Sequence, residues 1–245
     1  MHRAFREGRR VFVSRPRNHF ALDETATRVW LMAGGIGVTP LVTMAHRLHA
    51  LRTPFELHLS ATGAAQAPFG DVLRAVPWSA CVQRHLSDEG TRADLPALLP
   101  AWPAGATGPG WHLYTCGSLR YMDGVFDAAR ARGWPEAALH RELFAPPPEP
   151  ERVNHAFRLR LARSGRVLDV PADRRATDVL ADAGVAVPVK CSDGLCGVCA
   201  VGYDVDVSAA VDHRDYVLGI TERQRRVVLC CSRVATSGGV LVIDA

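Results

Sequence analysis

Lysine is almost missing from this chain of 245 residues. Of its 29 Lys+Arg residues only Lys190 is a lysine, so the formal net charge of +4 is carried by arginines spread along the chain. Aromatic residues make up 7% of the composition, whereas a nucleic-acid binder more often concentrates basic and aromatic residues in one stripe. The composition therefore argues against a nucleic-acid partner.

Long apolar runs are missing as well. The most apolar stretch, Val29 to Ala45, is interrupted by glycines and by Pro40, and it is shorter than the roughly 20 residues that cross a membrane. We interpret it as a buried strand that turns into a helix, and we expect no membrane partner. Because the sequence also lacks a secretory segment, we expect its seven cysteines to stay reduced in the cytoplasm.

The cysteines stand in an informative pattern. Cys191, Cys196 and Cys199 have the C-x4-C-x2-C spacing of plant-type [2Fe-2S] ferredoxins, and Cys230 or Cys231 can supply the distant fourth thiolate. A zinc site is disfavoured because zinc knuckles usually pair two short C-x2-4-C units. A disulfide framework is disfavoured by the reducing compartment. The spacing therefore predicts an iron-sulfur cluster.

Two glycines inside this loop support that prediction. Gly194 and Gly197 allow a tight turn and bring backbone N–H groups close to the sulfurs, where hydrogen bonds raise the reduction potential. His213 follows the loop, but a Rieske centre needs two histidines with paired cysteines. We therefore expect this histidine to make structural hydrogen bonds.

An earlier stretch has the pattern of a nucleotide-binding turn. A strand is predicted from Val29 to Ala33, followed by Gly34-Gly35-Ile36-Gly37 and by a helix with Thr39 as its N-cap and Pro40 at its first position. The free amides and the dipole of such a helix attract phosphate. The motif is not a full G-x-G-x-x-G fingerprint, and tight packing alone would explain it equally well.

The elements that follow alternate between strand and helix. Strands are predicted at Phe55 to Ser60, near Val82 to Leu86 and at Trp111 to Thr115, and the last of these runs into Cys116-Gly117-Ser118. This order indicates a parallel sheet, whose ligands bind beyond the carboxyl ends of the strands. Both glycine turns fall at such ends, which strengthens the nucleotide interpretation.

The composition changes at a proline-rich stretch, Ala145 to Glu151, which contains four prolines and indicates a semi-rigid spacer. Beyond it, the sequence predicts a hairpin of Phe157 to Leu161 with Val167 to Val170, a helix from Ala176 to Ala183 and a final strand from Val240 to Ile243. We expect a small mixed sheet with the cysteine loop at its rim.

Together these motifs resemble the phthalate dioxygenase reductase family, which includes vanillate demethylase reductases. The resemblance covers nearly the whole chain, and the motifs follow one another in the family's order. They are Pro16 to Leu22, Ala33 to Pro40, Cys116-Gly117, Glu142 to Phe144, Cys191 to Cys199, Asp212 to Asp215 and Cys230 to Arg233. The resemblance implies an α/β domain with a ferredoxin-reductase-type parallel sheet (25–144), a spacer (145–153) and an α+β domain with the β-grasp fold of a plant-type [2Fe-2S] ferredoxin (154–245).

The resemblance also implies roles for single residues. Cys116 and Gly117 would border the nicotinamide, and Phe144 would lie near the edge of the flavin. The residues implied to seat the nucleotide phosphates are Gly34, Gly35, Gly37 and Thr39. The implied cluster ligands are Cys191, Cys196, Cys199 and Cys230, since the family places the fourth ligand three residues before the arginine of Cys-x-Ser-Arg.

The chain departs from the family pattern in three places. The Arg-x-Tyr-Ser motif of the flavin-binding barrel does not occur, and residues 1–24 resemble only the last strand and exit loop of that barrel. Ser118 stands where the family has proline. No arginine or acidic residue follows directly on Ser60-Ala61-Thr62, so the sequence leaves NAD and NADP equally open.

The resemblance implies an NAD(P)H-dependent oxidoreductase that passes electrons through FMN and the cluster to a Rieske-type oxygenase. A flavin is needed because a nicotinamide gives two electrons as hydride, whereas the cluster accepts one at a time. The start of the gene could be mis-assigned, or a separate chain could supply the flavin domain. The alternative is a truncated, ferredoxin-like one-electron carrier without its own flavin or NADH oxidation.

Overall fold

The computed structural model describes residues 6–11, 13, 18–103, 110–148, 152–204 and 208–245. Some of the predicted features therefore lie outside the described residues. They are the first two residues of the motif that begins at Pro16, much of the predicted barrel remnant (1–24) and the positions 149–151 of the proline-rich spacer.

The first half of the described chain forms a parallel five-stranded sheet, as predicted. Its strands are β1 (Arg28–Gly34), β2 (Phe55–Ala61), β3 (Val82–Leu86), β4 (Trp111–Cys116) and β5 (Leu139–Glu142). Their order across the sheet is β3-β2-β1-β4-β5, and every neighbouring pair is parallel. The chain order changes direction at β1, so the ends of β1 and β4 are the topological switch point at which such sheets bind ligands.

Helices cover both faces of this sheet. They are α1 (Val38–Leu51), α2 (Gly70–Ala75), α3 (Leu95–Leu98) and α4 (Leu119–Ala131). Alternate residues of β1 explain the two layers, because Val29 and Leu31 pack in the same core as α1, while Trp30 and Met32 pack with α4. A strand that is buried on both faces consists of consecutive apolar residues, and Val29 to Ala33 of β1 form such a run.

The predicted start of α1 is wrong in detail. A short 3-10 turn, Gly35–Gly37, leads directly into the helix, which begins at Val38 with Gly37 as its N-cap. Thr39 is therefore inside the first turn, and its Oγ1 donates to the carbonyl of Ile36 at 3.0 Å instead of capping the helix. The continuous helical backbone of the turn already orders the first amides, so no side-chain cap is required.

The second half of the described chain has a smaller and more divided architecture. Its elements are β6 (Phe157–Leu161), β7 (Val167–Val170), α5 (Ala176–Asp182), β8 (Ala200–Gly202), β9 (Val211–Asp212), α6 (Ile220–Arg223), β10 (Arg226–Val228), β11 (Arg233–Val234) and β12 (Val240–Ile243). One three-stranded sheet has the order β12-β6-β7, and two two-stranded ladders pair β10 with β8 and β11 with β9. The predicted hairpin, helix and final strand are confirmed.

A separate apolar core lies between the three-stranded sheet and α5. Alternate residues of β6, namely Phe157, Leu159 and Leu161, are buried there with Leu180 of α5. The buried guanidinium of Arg233 donates hydrogen bonds to three backbone carbonyls. These bonds connect the segment that follows Cys231 with the first residues of this domain and with the segment between β7 and α5. The acceptors are the carbonyls of His155, Pro171 and Arg174.

Within the described part of the chain, no helix combines the length and apolarity needed to cross a bilayer.

Candidate nucleotide pocket and cysteine site

Two backbone turns meet at the end of the central strands of the parallel sheet. A Cβ placed on Gly37 would lie 2.1 Å from the carbonyl oxygen of Cys116, and one on Gly117 would lie 2.9 Å from the Cα of Gly34. Gly117 also has φ +156°, which L side chains rarely adopt. The glycines are therefore required by the close contact of the turns, and the two predicted motifs form one structural unit.

The thiol of Cys116 lies inside this unit. Its side chain is fully buried, and burial, followed by the Glu142 carboxylate, raises the pKa of Cys116 to about 12. The thiol is therefore protonated at neutral pH and contributes packing at the end of β4. A role beside a bound nicotinamide would depend on its position and not on nucleophilic attack.

A cavity of about 740 Å³ opens beside the paired turns. Of the predicted phosphate-seating residues, Gly34 and Gly35 line it, whereas Gly37 and Thr39 do not. The remaining lining residues come from the ends of β2 and β3, from the loop after β3 and from the start of α4. They are Ser60, Ala61, Thr62, Gln66, His85, Ser87, Arg92, Ala93, Leu95, Ser118, Arg120, Tyr121 and Gly124.

Tyr121 shapes this cavity, and the sequence patterns did not indicate it. The ring lies against Gly34, where an added Cβ would be 2.9 Å from Cδ1, and the hydroxyl of Ser60 donates to the Tyr121 hydroxyl at 3.4 Å. Burial raises the pKa of Tyr121 to about 12, so it is a neutral wall of the cavity. A single aromatic residue on a predicted helix gives no signal of such a role, because a core position has the same appearance.

Phe144 lies outside this cavity. It follows β5 by two residues, and 51% of its surface is exposed. An exposed aromatic ring beyond the end of the sheet leaves a free apolar surface there.

The predicted cluster ligands form two pairs of thiols. The side chains of Cys191 and Cys196 interact with each other, and so do those of Cys199 and Cys230, while the Cys231 thiol also interacts with that of Cys230. Within the described ranges, no three histidine, cysteine, aspartate or glutamate side chains converge as a site for a single ion would require. Two pairs of thiolates fit a binuclear cluster, in which each of two irons takes two protein ligands.

Backbone amides surround the first of these pairs. The N–H of Asp193 donates to the sulfur of Cys191 at 3.4 Å. Burial acts to raise the pKa of Cys191, but hydrogen bonds from the amides of Asp193, Leu195 and Cys196 and from the Cys196 thiol lower it overall. The loop therefore stabilises a thiolate, which is the ligating form of cysteine.

The second pair is more deeply buried. Cys199 is 2% exposed and Cys230 is 4% exposed, and both pack with Val228. The Cys199 thiol acts to lower the pKa of Cys230, but the neighbouring Cys231 thiol and burial raise it to about 12. The pKa of Cys199 is raised by Cys230 and by burial. Buried neutral thiols of this kind are deprotonated when they coordinate a metal.

Glycine geometry closes the loop over the second pair. Gly194 has φ +72°, and a Cβ there would lie 2.8 Å from the sulfur of Cys231 and 3.1 Å from the Cα of Asp215. Gly197 has φ +59°, so a side chain would be strained there as well. The sequence prediction that both positions require glycine is consistent with these dihedrals.

The acidic and basic tetrad that begins at Asp212 lies behind the loop and makes structural contacts. Oδ1 of Asp215 accepts the N–H groups of Val217 and Leu218 at 3.1 and 2.7 Å, and its Oδ2 lies 3.5 Å from Nε of Arg223. Nδ1 of His213 lies 3.9 Å from the same carboxylate and has no hydrogen-bond partner among the described residues, so the expected structural hydrogen bond is not made at this atom. These contacts hold the segment against which the loop rests.

The two halves of the chain touch at His19. Its Nε2 lies 3.2 Å from the carbonyl oxygen of Cys196, and a Cβ on Gly197 would lie 3.5 Å from the ring. Burial raises the pKa of Glu142 at the end of β5, and His19 acts in the opposite direction. The segment before β1 therefore links the nucleotide end of the sheet with the cysteine loop.

Comparison with known proteins gives matches over both halves. Residues 159–235 match the family model of the 2Fe-2S iron-sulfur cluster binding domain. Over 246 aligned residues the chain is 39% identical to vanillate O-demethylase oxidoreductase from a Pseudomonas species, covering 100% of this chain and 75% of that protein.

Two solved structures have the same fold over most of the chain. An intact type IV self-sufficient cytochrome P450 monooxygenase aligns with a TM-score of 0.75 and 33% identity, covering 94% of this chain and 29% of that one. Phthalate dioxygenase reductase, described as a modular structure for electron transfer from pyridine nucleotides to [2Fe-2S], aligns with a TM-score of 0.57 and 34% identity, covering 94% of this chain and 69% of that one.

Proposed function

The chain belongs to the family of oxygenase reductases that includes vanillate O-demethylase oxidoreductase and phthalate dioxygenase reductase, and from that membership we propose how its residues divide the work of electron transfer. It is an electron-transfer oxidoreductase and the reductase component of an oxygenase system, with an iron-sulfur domain at its C-terminal side. NAD(P)H is the proposed donor, and a Rieske-type oxygenase is the proposed acceptor. The proposed compartment is the cytoplasm, where the seven free cysteines would stay reduced.

The observation that carries the proposal is the pairing of the thiols. Cys191 with Cys196 and Cys199 with Cys230 offer two ligands to each iron of a [2Fe-2S] cluster. The glycine-relaxed loop supplies the amides that meet the charge on the sulfurs. Cys231 is the neighbour of a ligand and not itself a ligand in this proposal.

The nucleotide is proposed to bind in the cavity at the end of β1 and β4. Gly34 and Gly35 let the backbone approach the phosphates, Gly37 allows the contact with the Cys116 turn, and Thr39 stabilises the turn through its bond to Ile36. Cys116 and Gly117 border the nicotinamide, and Tyr121 walls the cavity. These residues bind and orient the donor at the switch point of the sheet.

A flavin, proposed to be FMN, would carry electrons from the donor to the cluster. When bound, it divides the electron pair of the hydride into single electrons, which the cluster then passes on. The exposed ring of Phe144 is available to lie against its edge. Residues 1–24 are proposed to be the last part of the flavin-binding barrel. The nucleotide domain then spans 25–144, the spacer 145–153 and the ferredoxin domain 154–245.

Stopped-flow absorbance tests this function with the full chain after anaerobic reconstitution of the cluster. NADH or NADPH, added with FMN and a separately expressed flavin barrel from a family member, should bleach the visible cluster bands. The Cys199→Ser variant is expected to show no such bands, and the Cys81→Ser variant should behave as the wild type, because Cys81 is remote from the loop.

One result would refute the reductase assignment for this chain. If dithionite bleaches the bands but neither nucleotide does so in the presence of the flavin barrel, the chain acts as a ferredoxin-like one-electron carrier.

A further inference from the structure

The residues at the β2 and β3 side of the cavity bear on whether it accepts NADH or NADPH. In parallel-sheet domains, the end of the second strand meets the adenosine ribose, where an acidic residue binds the 2′-hydroxyl of NAD and an arginine accommodates the 2′-phosphate of NADP. Here that region consists of Ser60, Ala61 and Thr62, with Ser87 and Arg92 on the neighbouring side. The part of the cavity wall next to the second strand therefore carries hydroxyls and not a carboxylate.

Among the residues that the structure describes, no aspartate or glutamate lines the cavity. An acidic residue near this edge is Asp88, whose N–H donates to the carbonyl of Thr62 at 2.9 Å. Its carboxylate lies over Gly63, where an added Cβ would be 2.1 Å from Oδ2. Gly63 is beyond the end of β2, and neither residue contributes to the cavity wall. Among the described lining residues, the carboxylate that binds the 2′-hydroxyl of NAD in many parallel-sheet domains is therefore missing from this wall.

Two guanidinium groups do line it. Among the described residues, Arg92 and Arg120 form neither a hydrogen bond nor an ion pair, whereas other arginines of the same domain are neutralised by carboxylates. The paired examples are Arg28 with Glu56, Arg47 with Glu24, Arg130 with Glu136 and Arg141 with Asp123. Free guanidinium groups in a concave wall suit phosphate, which they bind through two parallel hydrogen bonds.

We propose that this cavity selects NADPH over NADH, with Arg92 and Arg120 binding the 2′-phosphate and the hydroxyls of Thr62 and Ser87 completing its contacts. This specificity rests on the proposed function, since it assigns the cavity to the nucleotide. Arg92 follows β3 and Arg120 lies in the first turn of α4, so the two cations come from different elements to line one cavity. The 2′-phosphate, with a charge of about −2, would be balanced by the two positive charges of these arginines.

The first test needs no variant. Isothermal titration of the full chain with 2′,5′-ADP and with 5′-AMP compares two probes that differ in the 2′-phosphate. We expect 2′,5′-ADP to bind at least tenfold more tightly, and NADPH to bind at least tenfold more tightly than NADH. Equal binding of the two probes, or a preference for NADH, would overturn the proposal while leaving the reductase function intact. If no nucleotide binds at all, the proposed function fails with it.

The second test locates the phosphate. Arg92→Ala and Arg120→Ala should each weaken NADPH at least tenfold and change the Kd of NADH by less than twofold. Equal losses for both nucleotides would place the arginines on the shared pyrophosphate, which contradicts the assignment. Arg74→Ala, which removes an exposed arginine of α2 outside the cavity, is the matched control and should leave both affinities unchanged.

A converse variant introduces the missing carboxylate. Thr62→Asp should weaken NADPH at least tenfold by repulsion and leave NADH unchanged or tighter, because the new carboxylate can accept the 2′-hydroxyl. The tryptophan emission of each variant shows whether it is folded. Equal weakening of both nucleotides by Thr62→Asp in a folded protein would show that the ribose lies elsewhere.

Discussion

The nucleotide turns and the cysteine loop are both built on glycine, but they reach their geometry in different ways. The turns at the ends of β1 and β4 are held by a five-stranded sheet and by direct contact of two backbones. The cysteine loop rests on two-stranded ladders and on a small cluster of buried residues in which the ligand thiols themselves are prominent. The first site is therefore formed by packing, whereas the second depends on the group that its thiols bind.

The tryptophans make this comparison measurable. All five tryptophans lie between Trp30 and Trp134, within the domain that contains the parallel sheet. Their fluorescence therefore reports on the nucleotide domain, while visible absorption reports on the cluster. A perturbation that is confined to one site should change one signal and spare the other.

The largest expected effect follows from removing a buried ligand. Cys199→Ser should abolish the visible cluster absorption, and it should lower the midpoint of the C-terminal unfolding transition by on the order of 10 °C or more, because a domain of this size loses about 4–8 °C for each 1 kcal/mol. Circular dichroism follows that transition, and tryptophan fluorescence should show an unchanged midpoint for the other domain. A fluorescence midpoint that falls in parallel would contradict the independence of the two sites.

The next effect concerns the contact between the two turns. Gly37→Ala should weaken nucleotide binding at least tenfold and destabilise the nucleotide domain. The added Cβ would clash with backbone atoms of Cys116, which cannot move without shifting the end of β4. Titration calorimetry measures the first effect, and the tryptophan midpoint measures the second. The cluster absorption should be unchanged.

Gly70→Ala is the matched control for this change. Gly70 opens α2, and the nearest atom to an added Cβ is the end of the Arg84 side chain at 4.0 Å. Alanine there should be neutral or stabilising by about 0.5–1 kcal/mol, since glycine is the poorer helix former. If Gly37→Ala proved equally harmless, the turns would have to be adaptable and not preformed.

The sequence predicted the sheet well because burial on both faces leaves a continuous apolar run, as in β1. The C-x4-C-x2-C spacing predicted an iron-sulfur domain, because three of the four proposed ligands stand in one short loop. The sequence did not predict that Thr39 would lie inside α1, since the 3-10 turn before Val38 is a matter of backbone geometry. Nor did it indicate Tyr121, Arg92 or Arg120, because these residues come together only through the order of the strands, and an unpaired arginine has no mark in sequence.

An intermediate effect is expected when the pH is lowered, because the nucleotide domain contains buried histidine pairs that should reduce its stability in acid. Two pairs of histidines bridge neighbouring strands of the parallel sheet, with ring nitrogens 3.1 Å apart in one pair and 2.8 Å apart in the other. Burial lowers the pKa of all four rings, and the partner histidine lowers it further at His58 and His140. The pairs are His58 with His85 and His112 with His140.

The sign of the effect follows from these shifts. The folded rings stay neutral while the unfolded rings take up protons below pH about 6.5, so the free energy of unfolding of the nucleotide domain should fall as the pH drops below that value. Each proton bound only by the unfolded chain contributes about 1.4 kcal/mol per pH unit. Glu56 beside His58, and Asp23 beside His112 and His140, act in the opposite direction and moderate the loss.

Urea unfolding followed by tryptophan fluorescence between pH 7.5 and 5.5 checks this prediction. His140→Gln should flatten the dependence, whereas His49→Gln, at an exposed position of α1, should leave it unchanged. A stability that is independent of pH over this range would show that the buried pairs accept protons without penalty.

The smallest effect is expected at Cys231. Its sulfur lies under Gly194 and its thiol contacts that of Cys230, so it is close to the cluster ligands without being one in our proposal. Cys231→Ser should keep the cluster and shift its reduction potential by no more than about 60 mV, which for one electron corresponds to about 1.4 kcal/mol. Redox titration followed by electron paramagnetic resonance measures both. A variant Cys231→Ser without a cluster, together with a Cys230→Ser variant that retains one, would exchange the roles of the two sulfurs.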